Sequence, residues 1–333
     1  MAAPSGSWKT EFYLMNLPSH LKLAIWIDEM SLPFEEGLAR AAEFGAEYVW
    51  FATIPDQPPI AELSDTQIDD MAEQVRRHGL KLFQICADHP FHNIRLCDLD
   101  AGKEMDHPKF RHDFDALVRS MQIASRLGVG AVLAYGLSWP GEWYPRHRTW
   151  RKSPTWAMRW ATHGGIISEC DLDGLVDIFS LLAEQAEKHD VDLVLGTRPF
   201  HFLTTTNNFR LLADRVGSRR IRAMWSPADS VMSNEVDVAD SGFSRIEPCL
   251  HSLHLKDARV TDGPRGDTQW CALGEGEVDY PRMARRLIEH DRELYLAVAT
   301  HFRPPGGSAV DAMRINVERI VAIVAKTVDN PTH

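Results

Sequence analysis

Polar side chains that suit acid–base chemistry follow the apolar runs of the chain, mostly in its second half. They stand where each run stops, as side chains do at the carboxyl ends of strands that carry an active site. Histidine and aspartate can move protons, while arginine and lysine bind anions. The candidates are His201, Asp229, His254 and Lys256 for catalysis, and His89, Arg198, Asp257, His301 and Arg303 for substrate binding.

The apolar runs themselves are short, rich in β-branched and aromatic residues, and separated by segments with helical spacing. Parallel strands joined by helical crossovers give this alternation, and a count of eight predicts an α/β fold closed as a (β/α)8 TIM barrel. An open doubly wound sheet is the alternative, but no glycine-rich phosphate loop follows the first run. The runs are LKLAIWI (21–27), AEYVWFA (46–52), LKLFQICA (80–87), GAVLAY (130–135), DLVLG (192–196), IRAMWS (221–226), LHSLHLKD (250–257) and LYLAVATH (294–301).

One connection is far longer than the few residues usual between a strand and its helix. It spans residues 137–171 and carries five of the ten tryptophans, among them Trp143 and Trp150. Because strand-to-helix loops lie at the active-site face of a barrel, we expect this Trp-rich β4–α4 insert to cover that face and its tryptophans to contact the substrate. A subunit interface is an equally good explanation of so many aromatic side chains.

The overall composition is that of a soluble globular protein, with 44% hydrophobic and 25% charged residues. The 47 acidic and 36 basic side chains give a net charge of −11, which would repel nucleic acid. No apolar run reaches the roughly 18 residues that cross a membrane, and scattered cysteines favour a reducing cytoplasm. We expect one barrel domain (21–326), an N-terminal extension (1–20) and a C-terminal tail (327–333).

The most specific local pattern is HLKD at residues 254–257, followed by the loop GEGEVDYP at 274–281 and a strand that ends in Thr300 and His301. In this order and spacing, the three segments resemble the xylose isomerase-like TIM-barrel superfamily, the sugar phosphate isomerase/epimerase group. The similarity in strand and helix alternation runs from about residue 20 to residue 325. The resemblance implies a TIM barrel that acts on small carbohydrates.

Members of this superfamily typically hold one divalent metal ion, and the resemblance implies that its ligands come from four strand ends. Three of these positions carry Gly196, Ser226 and Ala299, and only His254 keeps its type. One imidazole cannot hold a hard divalent ion, because carboxylates supply most of the affinity. We therefore expect no metal and no other cofactor. The alternative is a relocated metal bound by His254 and others of the histidine and aspartate candidates.

Isomerisation, epimerisation and β-elimination on a keto sugar all begin with removal of a proton next to a carbonyl group. Without a metal, the arginine and lysine candidates could stabilise the enolate while a histidine or Asp229 moves the proton. We therefore expect an isomerase, epimerase or lyase whose partner is a small carbohydrate or sugar acid, and neither nucleic acid nor a membrane. A non-catalytic carbohydrate-binding relative, or an inactive subunit of an enzyme assembly, is the alternative. Whether the chain forms a homo-oligomer stays open.

Overall fold

The chain folds as a barrel of parallel strands surrounded by helices. The computed structural model describes residues 17–86, 89–138, 169–199, 201–262 and 267–329. All eight predicted runs contain strands, and helices follow them in the predicted alternation, so the predicted α/β barrel is confirmed.

The strands of the barrel begin within the predicted runs and mostly stop one or more residues before the runs end. The residues beyond each strand leave the ladder and carry most of the candidate site residues. The strands are β1 (Leu21–Trp26), β2 (Tyr48–Trp50), β3 (Lys81–Leu82), β4 (Ile85–Cys86), β5 (Ala131–Tyr135), β6 (Asp192–Gly196), β7 (Ile221–Trp225), β8 (Leu250–Leu255), β9 (Asp257–Asp262), β10 (Asp267–Cys271) and β11 (Leu294–Val298).

The third strand of the barrel is divided into two short strands, and these two complete the ring. The sheet runs in the order β3-β2-β1-β11-β8-β7-β6-β5-β4, and neighbouring strands pair in parallel. Its two end strands, β3 and β4, are separated in sequence only by Phe83 and Gln84. The two short strands thus share one position in the ring. The first and last barrel strands are also paired, since Ile25 of β1 lies beside Val298 of β11.

Helices cover the outside of the barrel, and several are fixed at their ends by their own sequence. Ser64 and Gln67 form a capping box at the start of α2, and Gly128 ends α3 in the left-handed conformation. The helices are α1 (Phe34–Glu43), α2 (Asp65–Arg77), α3 (Pro108–Leu127), α4 (Glu169–Lys188), α5 (Thr206–Val216), α6 (Pro227–Met232), α7 (Phe243–Ile246), α8 (Tyr280–Glu289) and α9 (Ala309–Asp329).

A hairpin that the sequence did not predict follows β8 and begins at Asp257, the last residue of the seventh run. Strands β9 and β10 pair antiparallel and form a separate two-stranded sheet. The hairpin matters for the site because it carries Trp270 back towards the end of β8. Its strands give no clear period-two pattern, since polar residues such as Thr261 and Asp262 lie among the apolar ones.

Several sequence expectations concern parts of the chain beyond the described residues. Most of the predicted insert, residues 139–168 with Trp143 and Trp150, is among them, so its place over the barrel stays a prediction. Of the predicted extension (1–20) the structure describes residues 17–20, and of the predicted tail (327–333) it describes residues 327–329, which belong to α9. That the two segments are separate units stays a prediction. None of the helices within the described ranges is long and apolar enough to cross a membrane.

Two layers of buried side chains stabilise the barrel. The larger layer packs the helices on the outside of the sheet. The smaller one consists of alternate residues of the strands and fills the interior, as the period of two requires. This inner layer comprises Ala24, Trp26, Trp50, Ala52, Phe83, Cys86, Ala131, Leu133, Tyr135, Val194, Met224, Ala297 and Ala299.

Small and large side chains alternate within the inner layer. The ring of Tyr135 on β5 lies directly against Gly196 on the neighbouring β6. A β-carbon at position 196 would lie 2.6 Å from Cε1 of Tyr135 and 2.9 Å from Cδ1. Glycine at this position is therefore what allows the buried tyrosine ring to sit inside the barrel.

Gly196→Ala is expected to lower the free energy of unfolding by about 1–3 kcal/mol, because the added methyl group overpacks a rigid aromatic contact. Chemical denaturation measures the change. Gly130→Ala is the matched control, since a β-carbon there meets no atom within 4 Å. Equal stability of the two variants would contradict the close packing of Tyr135 on Gly196.

Candidate functional site

Trp26, at the end of β1, lies at the centre of the carboxyl-terminal mouth of the barrel. Its ring stacks on that of Trp50 from β2, with centroids 4.9 Å apart. The rings of His89, His254 and His301 surround it at centroid distances of 6.2, 5.8 and 6.0 Å. The fold therefore brings three predicted site histidines together around one indole ring.

Lys256, just beyond β8, is buried and lies beside two acceptors. Its Nζ atom lies 2.9 Å from Oδ2 of Asp229, and the two side chains are 1% and 0% exposed. The same nitrogen lies 3.3 Å from Nε2 of His301 and 4.9 Å from the centre of the Trp270 ring. Asp229 comes from α6 and His301 from the loop after β11, so three separate elements build this group.

His301 links Lys256 to a carboxylate that the sequence did not single out. Nδ1 of His301 pairs with Oε1 of Glu29, and Glu29 also accepts the backbone N–H groups of Thr300 and His301. Because an ammonium group only donates, Nε2 of His301 accepts from Lys256, and the imidazole proton therefore lies on Nδ1. The site contains the continuous chain Glu29–His301–Lys256–Asp229.

Burial and neighbouring charges shift the pKa values of the side chains in this row of contacts. Burial, with the nearby charge of Arg198, lowers the pKa of Lys256 to about 8, although Asp229 opposes the shift. Burial alone would raise the pKa of Glu29, but His301 and the two backbone amides hold it at about 2. Burial also lowers the pKa of His301 against the effect of Glu29. Near neutral pH, Lys256 carries a proton that it can lose within an accessible pH range.

His254 lies two residues before Lys256 on the same inward-facing side of β8. It is 1% exposed, and its Nε2 atom has no hydrogen-bond partner among the described residues. Burial, and then the positive charges of Lys256 and Arg198, lower the pKa of His254 well below its usual range. The site therefore contains a neutral imidazole with a ring nitrogen left for a ligand.

Arg198, after β6, is half-buried above the ring of Tyr135. Its Cζ atom lies 4.9 Å from the ring centre, and Nη2 donates to the tyrosine hydroxyl at 3.2 Å. The Nε atom is buried without a hydrogen-bond partner, and no carboxylate of the described residues pairs with the guanidinium group. The ring of His89 stacks on the ring of Tyr135, with the two centroids 5.4 Å apart. Arg198 is thus a cation available to an anionic ligand.

His201 belongs to a different group from the one around Lys256. It is fully buried, with Nε2 lying 3.2 Å from the backbone carbonyl oxygen of His92 and its ring centroid 4.9 Å from that of His92. Burial, with the charge of Arg198, lowers its pKa to about 3. We expect His201 to stay neutral and to support the Arg198 side of the site.

The carboxylate of Asp257 is turned towards the loop that precedes α8. Its two oxygens accept the backbone N–H groups of Ala258, Gly274, Gly276 and Val278 at distances between 2.9 and 3.4 Å. A direct contact with substrate would compete with these bonds. The geometry favours a role in holding the loop over the substrate-binding role predicted from sequence.

Arg303 is the last of the predicted site residues that the structure describes. Arg303 is exposed, and its Nη1 atom donates to the backbone carbonyl of Phe302 at 2.7 Å. The structure places it on its own loop rather than against the buried group. Trp143 and Trp150 lie outside the described residues.

Sequence reasoning missed Trp26, Glu29, Tyr135 and Trp270. The first three stand at or just after the ends of β1 and β5, so the strand-end rule that found the later candidates would also have found them. Trp270 gave no such signal, because it reaches the site from the β9–β10 hairpin.

The four positions that the resemblance assigns to a divalent metal do not offer a ligand set. The Tyr135 ring occupies the space beside Gly196, and Ala299 is part of the inner apolar layer. The hydroxyl of Ser226 accepts the backbone N–H of Asp229 and so caps α6. Across the described ranges, no three histidine, cysteine, aspartate or glutamate side chains are placed to hold a metal ion. These residues do not fit the metal.

Comparisons with known proteins agree on the architecture. A model of the family described as "Xylose isomerase-like TIM barrel" matches residues 38–318. A xylose isomerase-like TIM-barrel protein from Mycobacterium smegmatis, solved in complex with magnesium, is similar over 92% of this chain and 97% of its own, with TM-score 0.66 and 13% identity. The structure of L-ribulose 3-epimerase is similar over 93% of this chain and 97% of its own, with TM-score 0.66 and 13% identity.

A third similar structure is that of a probable 3-DHS dehydratase from Bacillus anthracis, with TM-score 0.60 and 14% identity over 93% of this chain and 99% of its own. No curated protein sequence matches significantly. At these identities the solved structures support the fold alone.

Protein purified without chelator is expected to contain far less than one equivalent of manganese, magnesium, zinc or cobalt, because the ligand positions supply no carboxylate. Elemental analysis measures this directly. Prolonged treatment with EDTA should leave the melting temperature unchanged. A stoichiometric ion that is lost with EDTA, together with a fall in melting temperature, would show that other residues form a metal site.

Proposed function

The chain belongs to the xylose isomerase-like TIM-barrel family, and from this premise we propose that it transfers a proton next to the carbonyl group of a small carbohydrate or sugar acid, without a divalent metal. The reaction class is isomerase, epimerase or lyase. Epimerisation next to a carbonyl and dehydration by β-elimination share this first step. The neighbours named as an epimerase and a dehydratase make the class reasonable for this fold.

The observation that carries the proposal is the buried position of Lys256 between Asp229 and His301. Burying a charge costs several kcal/mol unless partners compensate, and a purely structural barrel has no need of one here. A lysine with a lowered pKa can exchange its proton near neutral pH. We assign Lys256 to the substrate carbonyl, where it offsets the negative charge that develops on the oxygen.

His254 is the group that we assign to the proton itself. It lies on the same face of β8 as Lys256, it is neutral, and its Nε2 atom has no hydrogen-bond partner among the described residues. Lys256 and Arg198 weaken its basicity in the free protein. An anionic ligand or a developing enolate between these two cations offsets their charge, so the basicity of His254 rises when the substrate binds.

Arg198 is the group that we assign to an anionic substituent of the substrate. The sequence predicted three cations at the mouth, but Lys256 is paired with Asp229 and Arg303 lies exposed on its own loop. The carboxylates of Asp229 and Glu29 balance the charges of Lys256 and Arg198. Anion binding therefore depends on the direct contact to the Arg198 guanidinium rather than on a strongly positive mouth.

The proposed function is tested by hydrogen exchange between substrate and solvent. In deuterated water, the wild-type protein should exchange the hydrogen next to the carbonyl in at least one member of a panel of keto sugars and sugar acids. Mass spectrometry follows the exchange. His254→Gln should slow it by about 10²- to 10⁴-fold, because glutamine hydrogen-bonds but does not take the proton.

Lys256→Met combined with Asp229→Asn should slow hydrogen exchange by a similar factor. The double change leaves no unpaired carboxylate in the interior. Lys326→Met, on the exposed side of α9, is the control and should leave exchange unchanged. Binding of a panel compound without any exchange would instead support the carbohydrate-binding alternative.

Arg198→Ala should weaken binding of an anionic sugar by about one to two powers of ten, since a charge-assisted pair is worth roughly 1.5–3 kcal/mol. The neutral analogue should bind about equally well to both proteins. Calorimetry with a matched sugar acid and sugar measures the difference. Arg219→Ala is the control, because Arg219 is 82% exposed at the opposite end of the barrel. Equal losses for the acid and the neutral sugar would contradict the assignment.

A further inference from the structure

We propose that Lys256 activates the carbonyl group covalently, by forming a Schiff base with the carbonyl carbon of the substrate. This inference rests on the proposed function, because it specifies how Lys256 acts in the same site. The substrate class becomes an open-chain aldehyde or ketone, such as a keto sugar or a 2-keto acid. Its support is the arrangement of groups around the Lys256 nitrogen.

The nitrogen has the two acceptors that a neutral amine requires. Asp229 Oδ2 lies at 2.9 Å and His301 Nε2 at 3.3 Å. An ammonium group has three hydrogens, whereas an amine has two hydrogens and a lone pair. Loss of one proton therefore leaves one hydrogen for each acceptor and frees the lone pair for attack on a carbonyl carbon. Glu29 fixes the orientation of His301 and thus the direction of the second bond.

Asp229 is positioned to move the protons of the covalent step. Its Oδ1 atom is buried without a hydrogen-bond partner among the described residues, beside the Oδ2 atom that pairs with Lys256. The neutral amine adds to the carbonyl carbon to form a carbinolamine, and the proton given up to Asp229 returns to the departing oxygen. Overall, the ammonium group and the carbonyl give an iminium ion and one water molecule, with the charge conserved.

The surroundings also stabilise the cation that results. The iminium nitrogen stays next to the Asp229 carboxylate and the face of Trp270, which lies 4.9 Å from Nζ. Removal of the neighbouring proton by His254 then gives a neutral enamine. The iminium ion places a full positive charge beside the reacting carbon, which is the electrostatic effect that a Lewis-acidic metal otherwise provides.

The lowered pKa agrees with this arrangement. A shift from 10.5 to about 8 raises the fraction of neutral amine at neutral pH on the order of a hundredfold over an ordinary lysine. Among the lysines of the chain, Lys256 is also the one that lies fully buried in the described structure.

Reductive trapping tests the inference on the full chain. The protein is incubated with pyruvate or dihydroxyacetone and sodium cyanoborohydride, and peptide mass spectrometry locates the reduced adduct. Labelling of Lys256 is expected to exceed that of the exposed Lys326 at least about tenfold, because Lys256 has the larger amine fraction. Lys256→Arg keeps the cation but should lose the adduct and reduce hydrogen exchange by about 10²-fold or more, since arginine forms no Schiff base.

The outcomes separate the two proposals. Labelling of Lys256 no greater than that of Lys326 with both probes would overturn the Schiff base. So would a Lys256→Arg protein that retains hydrogen exchange, and in that case the proposed proton transfer stands with Lys256 acting as a cation only. A trapped adduct on Lys256 in a protein that exchanges no hydrogen in any panel compound would support the Schiff base and overturn the proposed function. Circular dichroism of each variant verifies that it is folded.

Discussion

The ion pair between Lys256 and Asp229 is the interaction on which the site depends. Both side chains are shielded from water, and an unpaired charge in such a place costs several kcal/mol. The pair therefore requires that β8, which ends just before Lys256, and α6, which carries Asp229, meet with little freedom. His301, fixed by Glu29, adds the second acceptor from the far end of the chain. The barrel supplies this precision because its strands pair in register around the whole ring.

The inner packing of the barrel combines small and large side chains at neighbouring positions. Protein interiors keep a nearly constant packing density, so a smaller side chain at one position has to be matched by a larger neighbour. Tyr135 fills the space beside Gly196, and the stacked indoles of Trp26 and Trp50 occupy the same inner layer as Ala299. Gly196 and Ala299 are thus small where large aromatic side chains fill the interior.

The rule that site residues lie at strand ends predicts where a candidate residue is, but not the direction in which its side chain points. The rule correctly brought His254, Lys256, His301 and Asp229 to one mouth, because the parallel strands of a barrel all end on the same face. It did not show that Asp257, directly after Lys256, turns to the backbone of a loop. Successive residues of a strand point to opposite faces, and sequence alone does not give the register that decides which one points inward.

The sequence by itself determined the alternation of strands and helices around the barrel, its eight strand positions and the end of the barrel where polar residues collect. These features follow from local periodicity and from the geometry of parallel strands, both of which near neighbours set. The tertiary structure decided which groups touch: Lys256 with Asp229, His301 with Glu29, and Tyr135 with Gly196. Such contacts join segments far apart in the chain, and their protonation depends on burial and neighbouring charges that exist only once the barrel has closed.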